Sequence, residues 1–216
     1  MNAKPSSRNV SFDELAKLTA EFERSRRVVV AIAGAPASGK STLAERLVDR
    51  LNADEASSAA LLPMDGYHFD DRVLIARGLR ARKGAPETFD VGGLLHMLDR
   101  LKQNEEDEIA VPVFDRDLEI SRAGARLIPR DARILVVEGN YLLLDQEPWS
   151  RLQALFDLTV FVDAPEDLLR RRLVERWRGY GFTPEEIEAK VEGNDIPNGR
   201  FVISNSKAAD LVWNAE

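Results

Sequence analysis

The chain has 216 residues, is 44% hydrophobic, carries a net charge of −7 and contains no cysteine. That length lets one domain bury roughly 70% of its unfolded surface. The acidic balance speaks against the broad basic footprint of a nucleic-acid binder, and the missing thiols exclude disulfides, thiol nucleophiles and cysteine-held metals.

No apolar run approaches the roughly 18 residues of a membrane-spanning helix. Met1–Arg8 is polar and lacks the apolar segment of a secretory leader, so a cytoplasmic protein is expected. Residues 1–10 are expected to be flexible and 11–216 to form a single domain. Ser11-Phe12-Asp13-Glu14 has the capping-box pattern and predicts a helix to about Ser25, with Phe12, Leu15, Leu18 and Phe22 on one stripe. Val28 to Ala33 is a continuous apolar, β-branched run, the pattern of a buried parallel strand.

Gly34-Ala35-Pro36-Ala37-Ser38-Gly39-Lys40-Ser41 then reads G-x-x-x-x-G-K-S. Glycines let the backbone fold round a phosphate chain with its N–H groups turned inward. A lysine here reaches the β- and γ-phosphates, and the serine hydroxyl binds Mg²⁺. Gly34 to Thr42 is therefore the expected ATP-binding loop, with Lys40 also catalytic and Ser41 a metal ligand. Ser41 to Leu51 follows as an amphipathic helix, so strand, loop and helix come in the order the chemistry requires.

Ala59 to Pro63 predicts a second strand, ending in Met64-Asp65-Gly66-Tyr67-His68-Phe69. Asp65 could take the proton of an attacking hydroxyl; the alternative is a plain Asp-Gly turn. His68 is a candidate substrate contact, while His96 is expected at a helix surface. Asp70 to Leu79 reads as helix, Arg80 to Thr88 as a basic loop, and Asp90 as the cap of a helix over 91–102. Ile109 to Phe114 predicts a strand ending at Asp115, and Leu118 to Pro129 a small hairpin.

Ile134 to Gly139 is another buried-strand pattern, with Glu138 at its end as the expected Mg²⁺ group. Leu158 to Val162 is a further strand, ending at Asp163. Pro165 opens a helix to about Gly179 carrying Arg170, Arg171, Arg172, Arg176 and Arg178. Arg172 and Arg176 share a face and are expected to close over the phosphates as a lid. Thr183 and Pro184 start a helix ending near Gly193, and Phe201 to Ile203 and Leu211 to Trp213 are expected late strands.

Apolar strands alternating with helices predict an α/β fold with a doubly wound, mostly parallel sheet. Ligands of such sheets bind beyond the carboxyl ends of the strands, so Gly34 onward, Asp65, Asp115, Glu138 and Asp163 are expected to face one cleft. Tyr67, Phe114 and Tyr141 could wall the acceptor pocket or belong to the core. Asp115 with Arg116 would suit the hydroxyls of a sugar; Arg82 or Arg116 would suit a carboxylated acceptor. The adenine is expected between the arginine helix and Asn198 to Arg200.

Together these motifs resemble the phosphoribulokinase/uridine kinase family of P-loop kinases, which includes type I pantothenate kinases. The residues are Gly34–Thr42, Met64 to His68, Phe114-Asp115-Arg116, Val137 to Tyr141 and the Arg172/Arg176 helix, and the likeness covers about residues 27–213. Arg82 to Asp90 and Asn194-Asp195-Ile196-Pro197-Asn198 resemble most a bacterial subgroup described as "putative fructose transport system kinases". The resemblance implies the P-loop nucleoside triphosphate hydrolase fold, MgATP as phosphate donor, a small-molecule acceptor with Asp65 as base, and a lid around 165–179. The uridine kinases' Pro-x-Tyr-Asp-Phe pattern with a following histidine is absent from Pro112 to Arg116, which argues against uridine. The competing reading is a nucleotide-dependent switch or energy-coupling ATPase serving a transporter or partner protein. A homodimer is compatible with either.

Overall fold

The structure is a computed structural model describing residues 7–22 and 26–215. Its elements in chain order are β1 (Arg8–Asn9), α1 (Phe12–Ala20), β2 (Val28–Gly34), α2 (Lys40–Asp54), β3 (Ala59–Pro63), α3 (Asp71–Ala76), α4 (Val91–Gln103), β4 (Glu108–Asp115), β5 (Ile120–Pro129), β6 (Ile134–Gly139), β7 (Leu158–Asp163), α5 (Glu166–Gly179), α6 (Pro184–Lys190), α7 (Ile196–Asn205) and β8 (Leu211–Asn214). Among the described residues, six strands form one parallel sheet in the order β1-β8-β7-β2-β6-β3, while β4 and β5 pair antiparallel as a separate ribbon.

The strand pleat divides the core. Val28, Val30 and Ile32 point to the side covered by Leu15 of α1 and Leu43, Leu47 and Leu51 of α2. Val29, Ala31 and Ala33 point to the other side, against Leu94 and Leu98 of α4, Ile109 and Val111 of β4, and Trp149. A sheet apolar on both faces needs cover on both, which is why β2 and β6 are buried end to end. A third cluster joins Ala35 and Ala37 of the loop after β2 to Leu169, Leu173, Ile187, Val191 and Ile196, and so seats α5, α6 and α7 on that loop.

Arg27, just before β2, is only 1% exposed. Its guanidinium donates to the carbonyls of Ala132 (2.8 Å), Leu101 (3.0 Å) and Pro129 (2.7 Å), and burial pulls its pKa down to about 10. Arg27→Met is expected to destabilise the fold by roughly 3 kcal/mol or more, since three buried acceptors lose their donor. Thermal unfolding would show this as a drop of about 6–12 °C for a chain of this size; an unchanged Tm would contradict it.

Several sequence expectations are corrected. Of the residues expected to be flexible, Arg8–Asn9 form an edge strand on Leu211–Val212, and 1–6 lie outside the described residues. The first helix ends at Ala20; Ser25 lies outside the described residues. The helix expected over 70–79 is α3, only Asp71–Ala76. The expected hairpin within 118–129 is one strand, β5, whose partner is β4. The helix from Pro184 does not stop near Gly193: it passes through a π-helical turn, Val191–Asp195, into α7. Phe201–Ile203 is therefore helix rather than strand.

Candidate active site

Register sets the site. Ile32 of β2 lies beside Glu138 of β6, and Glu138 lies beside Pro63 of β3. The residues that follow each strand, Gly34 onward and Asp65, thus emerge on either side of Glu138. The loop after β2 needs its glycines. A Cβ on Gly34 would sit 2.8 Å from Ser38 Oγ and 2.9 Å from the Val162 carbonyl. Gly39 has φ +101° at the start of α2, a conformation that side chains disfavour. Ala37 also has positive φ, and no acidic residue sits in the first turn of α2. Backbone N–H groups curled inward at a helix N-terminus make a phosphate cradle.

Ser41 Oγ donates to Glu138 Oε2 at 3.1 Å. Burial raises the Glu138 carboxyl, and Lys40 opposes the shift. Burial lowers Lys40, while Glu138 and Asp65 pull it back up. A cavity of about 890 Å³ opens over the loop, lined by Asn9 to Phe12, Ala37 to Leu43, Arg46, Arg172, Arg176, Trp213 and Asn214.

Asp65 sits in a 3-10 turn, Met64–Tyr67, after β3. Its Oδ2 accepts from Arg116 Nη2, brought over by the β4–β5 turn. Burial works to raise the Asp65 carboxyl, but Arg116, Lys40 and Arg176 among its cationic neighbours outweigh it and hold it below the usual carboxylate range. His68 Nδ1 lies 2.7 Å from the Asp65 carbonyl oxygen, and its ring packs on Phe89 (4.0 Å) and Phe114 (4.7 Å). Burial pushes His68 below its ordinary value, against the opposing pull of the Asp65 carboxylate. Tyr67 is buried, and its hydroxyl has no hydrogen-bond partner among the described residues.

The structure therefore brings together the loop, Lys40, Ser41, Asp65, Glu138, His68, Phe114 and Arg116, with Arg176 reaching Lys40 and Asp65 electrostatically. Other expected site residues are engaged elsewhere. Asp115 accepts from Arg122 (2.8 Å) and the amides of Asp117 and Leu118, so it braces the hairpin turn. Arg172 lines the loop cavity but donates to the loop carbonyl of Ser38 at 3.0 Å, so it braces the loop's backbone. Arg82 pairs with Glu87 and lines a second cavity of about 780 Å³, as does Asn198. Arg200 is bound to both oxygens of Glu166. Tyr141 is fully buried, its hydroxyl donating to the Gly84 carbonyl at 2.5 Å. Asp163 is exposed at its strand end.

Sequence reasoning passed over Asp195. It accepts from Trp177 Nε1 at 2.6 Å, tying α5 to the π-helical turn, and its charge acts on Arg176 and Arg116. Its only advance signal is its place in the Asn194 to Asn198 motif. Asn9, Arg46, Trp213 and Asn214 had none, because strand order alone unites both ends of the chain beside the loop.

Comparison with known proteins places the chain in a family and a fold. The model of the "Phosphoribulokinase / Uridine kinase family" matches residues 29–215. YggC, an uncharacterized protein from Escherichia coli, is 38% identical over 87% of this chain and 77% of its own length. A putative uridine kinase from Schizosaccharomyces pombe is 32% identical over 94% of this chain and 89% of its own. The crystal structure of a "putative fructose transport system kinase" from Silicibacter sp. TM1040 superposes with TM-score 0.88 at 38% identity, covering 95% of this chain and all of that one. Pantothenate kinase from Enterococcus faecalis is 34% identical, but this chain spans only 49% of its length. The chain belongs to the phosphoribulokinase/uridine kinase family of P-loop kinases.

Proposed function

We propose that this enzyme moves the γ-phosphate of ATP to a hydroxyl of a small metabolite, a sugar or a pantothenate- or nucleoside-like alcohol. The observation that carries the reading is the convergence of Lys40, Ser41, Glu138 and Asp65 at the ends of the adjacent strands β2, β6 and β3. The loop amides and Lys40 hold the phosphates. The cavity between Asn9–Phe12, Arg46 and Trp213 takes the nucleoside end, in place of the expected Asn198–Arg200 segment. Arg176 lines the same cavity and, among the described residues, forms no ion pair or side-chain hydrogen bond; it is the better candidate than Arg172 to meet γ-phosphate charge.

Ser41 and Glu138 offer a hydroxyl and a carboxylate oxygen 3.1 Å apart, hard donors of the type that suits Mg²⁺ with waters completing its shell. When bound there the ion would neutralise phosphate charge. Asp65 takes the hydroxyl proton as the acceptor oxygen bonds to phosphorus. The bond from the γ-phosphorus to the bridging oxygen breaks, and its electron pair leaves on ADP. Among the described residues no helix is long and apolar enough to cross a membrane, and we assign the enzyme to the cytoplasm, where ATP is supplied.

ADP release measured with a panel of sugars, nucleosides, pantothenate and glycerate tests the reading. Stimulation by one acceptor supports it; slow hydrolysis indifferent to every acceptor favours a switch. Glu138→Gln is expected to raise the Mg²⁺ concentration for half-maximal rate at least about tenfold, the scale of a lost metal-site group. An unchanged Mg²⁺ dependence would remove Glu138 from the metal site.

A further inference from the structure

Among the described residues, Arg116 is the one cation ion-paired with the proposed base itself. Its guanidinium carbon lies 5.0 Å from the Phe114 ring centroid, and Nη2 occupies Asp65 Oδ2, one of the two oxygens on which the acceptor's proton can land. It is 49% exposed, so an incoming molecule can reach it. Lys40 and Arg176 also act on Asp65, but they line the phosphate-loop cavity and are taken up by the nucleotide's phosphates in the reading above; the other charged groups around Phe114 are held by partners. Asp115 is held by Arg122 and the turn amides. Lys83, 5.3 Å from the same ring, is 8% exposed and donates to Asp71 (2.7 Å) and the Glu119 carbonyl (2.6 Å). His68 is turned to the Asp65 carbonyl, with its ring packed on Phe89 and Phe114. Arg82 is paired with Glu87 outside this group.

The carboxylate that was expected to read sugar hydroxyls is therefore spent, and the guanidinium remains. We infer that the acceptor is an anionic alcohol: a carboxylate or phosphate on the same molecule, a few bonds from the reacting hydroxyl, is clamped by Arg116. The inference rests on the kinase reading above and narrows its substrate class. Binding becomes an exchange of partners. Arg116 leaves Asp65 for the acceptor's anion, two N–H donors facing two oxygens, and the vacated Asp65 oxygen meets the hydroxyl. A neutral alcohol offers the guanidinium only hydroxyl oxygens in return for a carboxylate, so it loses the exchange and Oδ2 of Asp65 stays occupied by Arg116. The aromatic face of Phe114 holds the guanidinium plane through the swing.

The test uses matched pairs assayed for ADP release with MgATP: glycerate against glycerol, pantothenate against pantothenol, and glucose 6-phosphate against glucose. The third pair separates a phosphate anion from a carboxylate. The anionic member of a productive pair is expected to have kcat/KM at least about 30-fold higher, and Arg116→Gln to erase most of that difference, as when a site's charged partner is left unpaired. A neutral member used as well as its acid, or unchanged discrimination in Arg116→Gln, overturns the inference while leaving the kinase reading intact. A second arm measures the Tm of the protein with a non-hydrolysable ATP analogue and each pair member. Stabilisation by the acids that Arg116→Gln abolishes supports the anion clamp even if no member is phosphorylated, in which case the kinase reading alone fails. Equal stabilisation of parent and variant overturns the clamp.

Discussion

Asp65→Asn is expected to cut turnover by about a thousandfold or more, within the range set for a positioned general base. The carboxamide keeps the shape and can still accept from Arg116, but it cannot take a proton at neutral pH. The carboxylate is held ionised in the resting enzyme by Arg116, Lys40 and Arg176 against its own burial, so the base is in the right form before substrate arrives. MgATP affinity, measured by calorimetry, should change little, because nucleotide and phosphates are held from the β2 side. A loss confined to kcat is the signature of an interaction made during transfer. Affinity falling in step with activity would make Asp65 a nucleotide or metal ligand instead.

Lys40→Met is expected to lower kcat/KM for ATP by roughly 100- to 1000-fold, the scale of removing one oriented electrostatic group. Lys40 opens α2 within the loop cavity, and its ammonium is balanced electrostatically by Glu138 and Asp65. Methionine keeps the apolar stem, so the loss reports the charge. It also removes the cation that opposes the raising of the Glu138 carboxyl, and the Mg²⁺ requirement should rise in the same variant. Near-parent turnover with unchanged circular dichroism would contradict the phosphate role of this loop.

How much of this was legible depended on the range of the interaction. β2, the loop and α2 could be read because each signal is local: a β-branched run, spaced glycines, a 3.6-residue stripe. Asp65 and Glu138 were found because each ends such a run, and parallel register does the rest. The failures are non-local. Residues 201–203 look like a strand in isolation, but Asn198, Gly199 and Val202 sit at helical spacing on a buried face that no short window reveals. β5 is exposed along most of its length, so its apolar pattern could not identify β4 as its partner. Asp115 sits beside Arg116 in sequence, yet one closes the turn and the other reaches Asp65, a division decided by the hairpin geometry. Arg172 and Arg176 both line the loop cavity, but the packing of α5 on the loop also sets Arg172 against the backbone carbonyl of Ser38, which sharing a helix face does not reveal.

The central claim is tested most directly by following the γ-phosphate itself. With ATP labelled at that position, the account predicts that label appears in a phosphomonoester of the acceptor, one per ADP formed, and that Asp65→Asn stops the transfer. Label appearing as inorganic phosphate, at a rate indifferent to any acceptor, would contradict it.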